Sequence, residues 1–130
     1  GIAYYKSIKI GMAIDAGYGL KVVKLPDLEG KTVSEVENEI FRAIKKYLRN
    51  KLSIDDITGS TFTISDMSNE GVAFFSPLVS SKQSAVLGIS GFDEKLRRYT
   101  VSLTFDHRVT EGRKATMFLK ELIESINCYF

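Results

Sequence analysis

The stretch TVSEVENEIFRAIKKYL, residues 32–48, constrains the fold more than any other part of the sequence. Val33, Val36, Ile40, Ile44, Tyr47 and Leu48 recur at helical spacing, so one apolar stripe runs along a charged cylinder. Thr32 and Glu35 form a T-x-x-E capping box, in which the hydroxyl and the carboxylate satisfy orphan backbone amides at the helix start. A one-sided helix must bury its stripe against another layer, and the segments around it read as strands.

Ile8, Ile10, Met12 and Ile14 alternate within residues 4–14, the period of a strand with one face on a core. DAGYGL (15–20) has the composition of a tight hairpin turn. LKVVKLP (20–26) is then the return strand, stopped by Pro26, which cannot donate to a ladder. The helix is expected to end near Asn50, and Ser53 to cap a short turn through Ile57 with Asp55 and Asp56 at its positive end. STFTISD (60–66), SAVLGISGF (84–92) and YTVSLTFD (99–106) favour extended structure, with Tyr99, Val101, Leu103 and Phe105 on one side of the last. DMSNEG and DEKLRR read as turns, and VAFFSPLVS is an apolar segment interrupted by Pro77. A second amphipathic helix is predicted from about Glu111 to Ile126, its apolar side made by Ala115, Phe118, Leu119, Leu122 and Ile126. This order predicts one α+β domain over residues 1–130, a mixed sheet with helices on one face.

Composition removes several classes of function. A net charge of +2 is too small to argue for nucleic acid or an anionic membrane, and no basic stretch is interleaved with aromatics. There is no apolar run of bilayer length and no signal-peptide pattern at the start. The chain opens on Gly1 and directly on strand-like sequence, as expected of a piece of something longer or a trimmed chain. The single cysteine, Cys128, cannot make an internal disulfide, so a reducing cytoplasm is the expected location. Its setting, INCYF, is that of a small hydrophobe rather than a nucleophile.

Most candidate chemistry fails on spacing. EGKTVS (29–34) lacks the glycine a phosphate-binding loop needs at position 25, which is Leu25, and the helix cap accounts for Lys31 and Thr32. One histidine and one cysteine cannot build a zinc cage, Asp55 and Asp56 lack the further ligands of a calcium loop, and no metal is expected. No G-x-S-x-G elbow is present. FDHRVTEG (105–112) remains. His107, the only histidine, follows an apolar strand and precedes a helix, where a side chain can be fixed yet face a cleft. Glu111 would lie one turn away if that helix starts early. The plainer alternative is that His107 ends a strand and pairs with a neighbouring carboxylate.

FDHRVTEG also resembles the H-x-x-x-D-G signature of dihydrolipoamide acyltransferases, the core subunits of 2-oxoacid dehydrogenase complexes, and of chloramphenicol acetyltransferase. IKIGMAIDAGYGLKVVKLPD, LSIDDITGSTFTISDMS and FFSPLVSSKQSAVLGIS are similar to further segments of the acyltransferases, in the family's order, and together cover almost the whole chain. The resemblance implies a chloramphenicol acetyltransferase-like fold and acyl transfer between coenzyme A and a dihydrolipoyl thiol on a partner lipoyl domain. It implies His107 as general base, Ser65 of TFTIS as oxyanion donor, and Glu111 in the place of an aspartate that helps hold the site's geometry. In the family the site lies between subunits of a trimer or larger core, so histidine and serine need not meet within one chain.

Three departures accompany the resemblance. Glu111 is one methylene longer than aspartate, and DMSNEG replaces a glycine-rich stretch after the serine. The chain also matches only the C-terminal half of the family's catalytic domain, which leaves apolar surface to be covered by association. They favour an alternative, a non-catalytic trimeric assembly domain that keeps the fold, whereas retention of His107 and Ser65 argues for catalysis. A condensation-type domain acting on carrier-protein thioesters would share the histidine without TFTIS or AVLGIS.

Overall fold

The alternating segments meet in a mixed five-stranded sheet, and both helices lie against the same face of it. The computed structural model describes residues 1–129. In chain order the elements are β1 (Ile10–Ile14), β2 (Lys21–Lys24), α1 (Val33–Leu48), a 3-10 turn (Asp55–Ile57), β3 (Phe62–Asp66), β4 (Ala85–Ile89), β5 (Val101–Phe105) and α2 (Gly112–Tyr129). The strands are ordered β2-β1-β3-β4-β5. The outer pairs β2–β1 and β4–β5 are antiparallel, while β1–β3 and β3–β4 are parallel.

Register assigns the faces. Met12, Ile64, Leu87 and Leu103 are successive partners across four strands, so they and their alternate neighbours share one side. On that side Ala43 of α1 packs with Val23 and Leu25, joined by Ile10, Met12 and Ile14. Phe118 of α2 meets Phe62 edge-on, with ring centroids 6.2 Å apart. The other side carries Thr63, Ser65, Val86, Gly88, Ser102 and Thr104 and is crossed by residues 72–80. There the Ser102 hydroxyl donates to the Phe75 carbonyl over 2.9 Å. A Cβ on Gly88 would stand 3.0 Å from the Phe75 ring and from Pro77, so only glycine admits this crossing.

Several expectations shift by physical causes. The run predicted from residue 4 enters the ladder only at Ile10, because Leu25 N–H to Ile10 carbonyl is the last bond before Pro26 ends the partner strand. Ile8 is therefore exposed. The turn between β1 and β2 is a six-residue loop, since Ile14 pairs with Lys21. Buried Tyr47 organises it: the hydroxyl accepts from the amides of Ala16 and Tyr18, 2.9 Å each, and donates to the Gly19 carbonyl at 2.8 Å.

At the start of α1 the Thr32 hydroxyl accepts from Glu35 N–H at 3.2 Å, as predicted. The Glu35 carboxylate instead accepts a hydrogen bond from that hydroxyl, at 3.1 Å, in place of one from an amide. Val33 and Leu48, at the ends of the stripe, overhang the sheet and stay exposed, and the buried positions are Ala43 and Tyr47. Asn50, at φ 52°, turns the chain out of the helix, as expected. Ser53 caps reciprocally: its hydroxyl accepts from Asp56 N–H and the Asp56 carboxylate accepts from Ser53 N–H. That amide bond holds the Asp56 carboxyl below its ordinary range. The second helix runs to Tyr129, past Ile126, because no breaker intervenes.

Candidate functional site

The sheet ends in a turn that displays His107. β5 stops at Phe105, residues 107–109 form the turn, and α2 starts at Gly112. Asp106 holds this turn with every polar group it has. Its N–H donates to the Ser84 carbonyl at 2.8 Å, and its own carbonyl accepts from Val109 N–H and Thr110 N–H. Its carboxylate accepts from the Arg108 amide at 2.9 Å and takes the Arg108 guanidinium in a fork, through Nε at 3.1 Å and Nη2 at 2.8 Å. The guanidinium and then the amide lower the Asp106 carboxyl to about 2, and the same pairing raises the Arg108 guanidinium above its ordinary range.

This arrangement decides what His107 touches. The Asp106 carboxylate is spent on Arg108. The exposed imidazole lies against Phe105, ring centroids 4.6 Å apart. Glu111 just precedes the helix, with its carbonyl accepting from Ala115 N–H. Among the described residues no hydrogen bond or ion pair joins Glu111 to His107, so the expected helical i+4 relation does not form.

Ser65 occupies another part of the molecule. It is the fourth residue of β3, half-buried, on the face away from the helices and opposite Gly88. Beyond it, the Asp66 carboxylate accepts from Ser68 N–H at 2.9 Å and starts the DMSNEG turn. Ser65 and Ser102 lie in one row of the sheet, whereas Phe105 lies in the row of Ala85. Three residues along a strand and two strands across put the Cα atoms of Ser65 and Phe105 roughly 14 Å apart, with His107 further on. Serine and histidine therefore do not meet within one chain.

The His107 turn is tied back to the serine's strand by a residue that no motif marks. Gln83 accepts from the Thr63 hydroxyl at 2.7 Å and donates to the Ser60 carbonyl at 3.2 Å and hydroxyl at 3.0 Å. Its neighbour Ser84 receives the Asp106 amide. A lone glutamine in a loop carries no sequence signal, because its role depends on which strands the fold brings beside it. Gln83, Lys82, Asp106 and Arg108 line a cleft of about 780 Å³ that Ile2, Ala3 and Tyr5 flank on another side, where the Tyr5 hydroxyl donates to the Lys82 carbonyl. Among the described residues no group of three His, Cys, Asp or Glu side chains is placed to hold a metal ion, and no helix is long and apolar enough to cross a membrane.

The model of the 2-oxoacid dehydrogenases acyltransferase (catalytic domain) family matches residues 1–129. The chain belongs to this family. Its relatives include the mitochondrial dihydrolipoyllysine-residue succinyltransferase component of the 2-oxoglutarate dehydrogenase complex of Saccharomyces cerevisiae, 36% identical over 96% of this chain and 29% of the relative. Another is the acetyltransferase component of the pyruvate dehydrogenase complex of Buchnera aphidicola, 36% identical over 88% and 31%. The chain thus spans about a third of the length of these curated relatives.

Solved acyltransferase cores share the fold. The truncated catalytic core of the 2-oxoacid dehydrogenase multienzyme complex from Thermoplasma acidophilum superposes with a TM-score of 0.88 at 32% identity, over 96% of this chain and 59% of that one. Dihydrolipoamide acetyltransferase of Azotobacter vinelandii gives 0.81 at 30%, over 91% and 53%, and its crystallographic study concerns a serine, a histidine and an asparagine in the catalytic mechanism. The mixed sheet is the chloramphenicol acetyltransferase-like sheet expected of such cores.

Proposed function

We propose that this chain supplies the C-terminal half of an acyltransferase catalytic domain that moves an acyl group between coenzyme A and a dihydrolipoyl thiol. A thiol near its ordinary pKa is mostly protonated at neutral pH and needs a base to become a nucleophile. His107 takes the S–H proton as sulfur attacks the thioester carbonyl. The new C–S bond forms, the carbonyl oxygen becomes an oxyanion held by the Ser65 hydroxyl, and the old C–S bond breaks. The departing thiolate recovers the proton from His107. Glu111 stands at the motif's acidic position and helps hold the site's geometry. The lipoyl group arrives on a partner domain, and the reaction asks for no metal. We place the protein in the cytoplasm, where the free Cys128 stays reduced.

One observation carries the assembly this requires: Ser65 and Phe105, against which His107 lies, stand on opposite faces and toward opposite ends of one sheet. A site that uses both must take them from two chains, as a trimer or larger core provides. The names of the relatives and the core structures support this reading.

The test is acyl exchange from acetyl- or succinyl-coenzyme A to dihydrolipoamide, on this chain and on the longest native chain containing it. Transfer should vanish in His107→Ala and fall about a hundredfold or more in Ser65→Ala. Absence of transfer from both chains, with a stable oligomer still formed, would favour the assembly-domain alternative.

A further inference from the structure

We propose that Asp106 and Arg108 are positioning residues that clamp the His107 turn and hold the imidazole on Phe105, an inference that rests on His107 being the base. The two residues flank the histidine, and their fork joins the residue before it to the residue after it. Oδ1 of Asp106 also receives the Arg108 amide, an Asx turn that fixes the backbone on both sides of His107. The two remaining bonds to the Asp106 carbonyl and the one from its amide to Ser84 anchor the clamp to β4's approach. The imidazole itself has no hydrogen-bonding partner among the described residues, only the Phe105 ring at 4.6 Å. Its direction is therefore set through the backbone on either side of it.

The pair has little else to do. The Arg108 side chain is 90% exposed, and an ion pair that open to water adds little to stability. Its forked geometry matters more than its charge, so a Lys at 108 would be a poor substitute.

Two experiments on Asp106→Ala, Asp106→Asn and Arg108→Lys test the clamp. The first needs no activity. His107 is the only histidine of the sequence, so the Hε1 proton of its ring gives one unambiguous NMR signal, and the tilted contact with Phe105 displaces that signal by ring current. Asp106→Ala should move the signal to the value of a histidine with no aromatic neighbour, with far-UV circular dichroism unchanged. Asp106→Asn keeps an acceptor for the Arg108 amide and should retain most of the displacement, with Arg108→Lys between the two.

The second experiment measures acyl transfer in the native assembly. Asp106→Ala should lower kcat about a hundredfold at nearly constant KM, and Asp106→Asn should recover most of that loss. A His107 signal that stays put in Asp106→Ala overturns the clamp whatever the activity. A signal that moves while kcat holds also overturns it as a positioning device. Should the native assembly of the unsubstituted chain show no transfer, the base assignment fails, and with it the clamp's catalytic purpose.

Discussion

At the scale of single residues, Asp106 separates ionic from geometric roles. Its carboxyl is lowered to about 2 from an ordinary 3.8 by the Arg108 guanidinium and amide. A depressed carboxyl contributes stability that is present above its unfolded value and is lost as pH falls through the folded value. The charged pair with Arg108 should therefore persist through mild acid and be lost only as pH approaches about 2. A carbon-13 NMR titration of the Asp106 carboxyl checks this, and a midpoint near the ordinary 3.8 would contradict it. Ser65 and His107 were legible as candidates because each sits in a local run of residues, TFTIS and FDHRVTEG. The choice of Asp106 between histidine and arginine was not, because both neighbours are in reach and the dihedral angles of the turn decide. Gln83 was hidden for a related reason, its partners Ser60 and Thr63 being brought to it by parallel pairing of β3 and β4.

At the scale of elements, two contacts made by residues distant in sequence set what a substitution costs. Gly88→Ala would push a methyl group against the Phe75 ring, Pro77 and the Ser102 hydroxyl, the last only 2.8 Å from the new carbon. Crowding of this kind costs about 1–3 kcal/mol, which a urea-denaturation midpoint would register. An unchanged midpoint would mean that residues 72–80 can lift off the sheet. Tyr47→Phe removes the hydroxyl that serves three backbone groups of the β1–β2 loop and should cost roughly 1–3 kcal/mol. Amide exchange at Ala16 and Tyr18 should quicken well before exchange in α1, and equal acceleration of both would mean that the loop and helix open together. Periodicity, strand propensity and turn composition identified both helices and all five strands, since these are local properties. They could not see that a helix tyrosine anchors a hairpin 28 residues away, or where Pro26 cuts a ladder short.

At the scale of the whole molecule, the apolar surface is uncovered on several sides. Leu78, Tyr4 and Ile8 are 88%, 87% and 77% exposed, and Met117 and Phe118 of α2 are also open. Sedimentation velocity should show association at micromolar concentration, and a monomer there would speak against a shared site. A sharper check mixes Ser65→Ala chains with His107→Ala chains, unfolds them together and lets them reassemble. If each site draws its serine and its histidine from different chains, about a quarter of the sites regain both, and activity returns from two inactive proteins. Recovery would not occur if both groups came from one chain.

The placement of Ser65 and His107 at opposite ends of one sheet has a genetic consequence. Under the proposed shared site, in a ring of such chains a copy lacking His107 silences one site, and a copy lacking both residues silences the sites on each of its two sides. A heterozygote for the doubly defective copy would then keep about a quarter of its activity rather than half, if both copies were made equally and mixed at random. Inheritance of the defect would look partly dominant, although the altered chain folds and assembles normally.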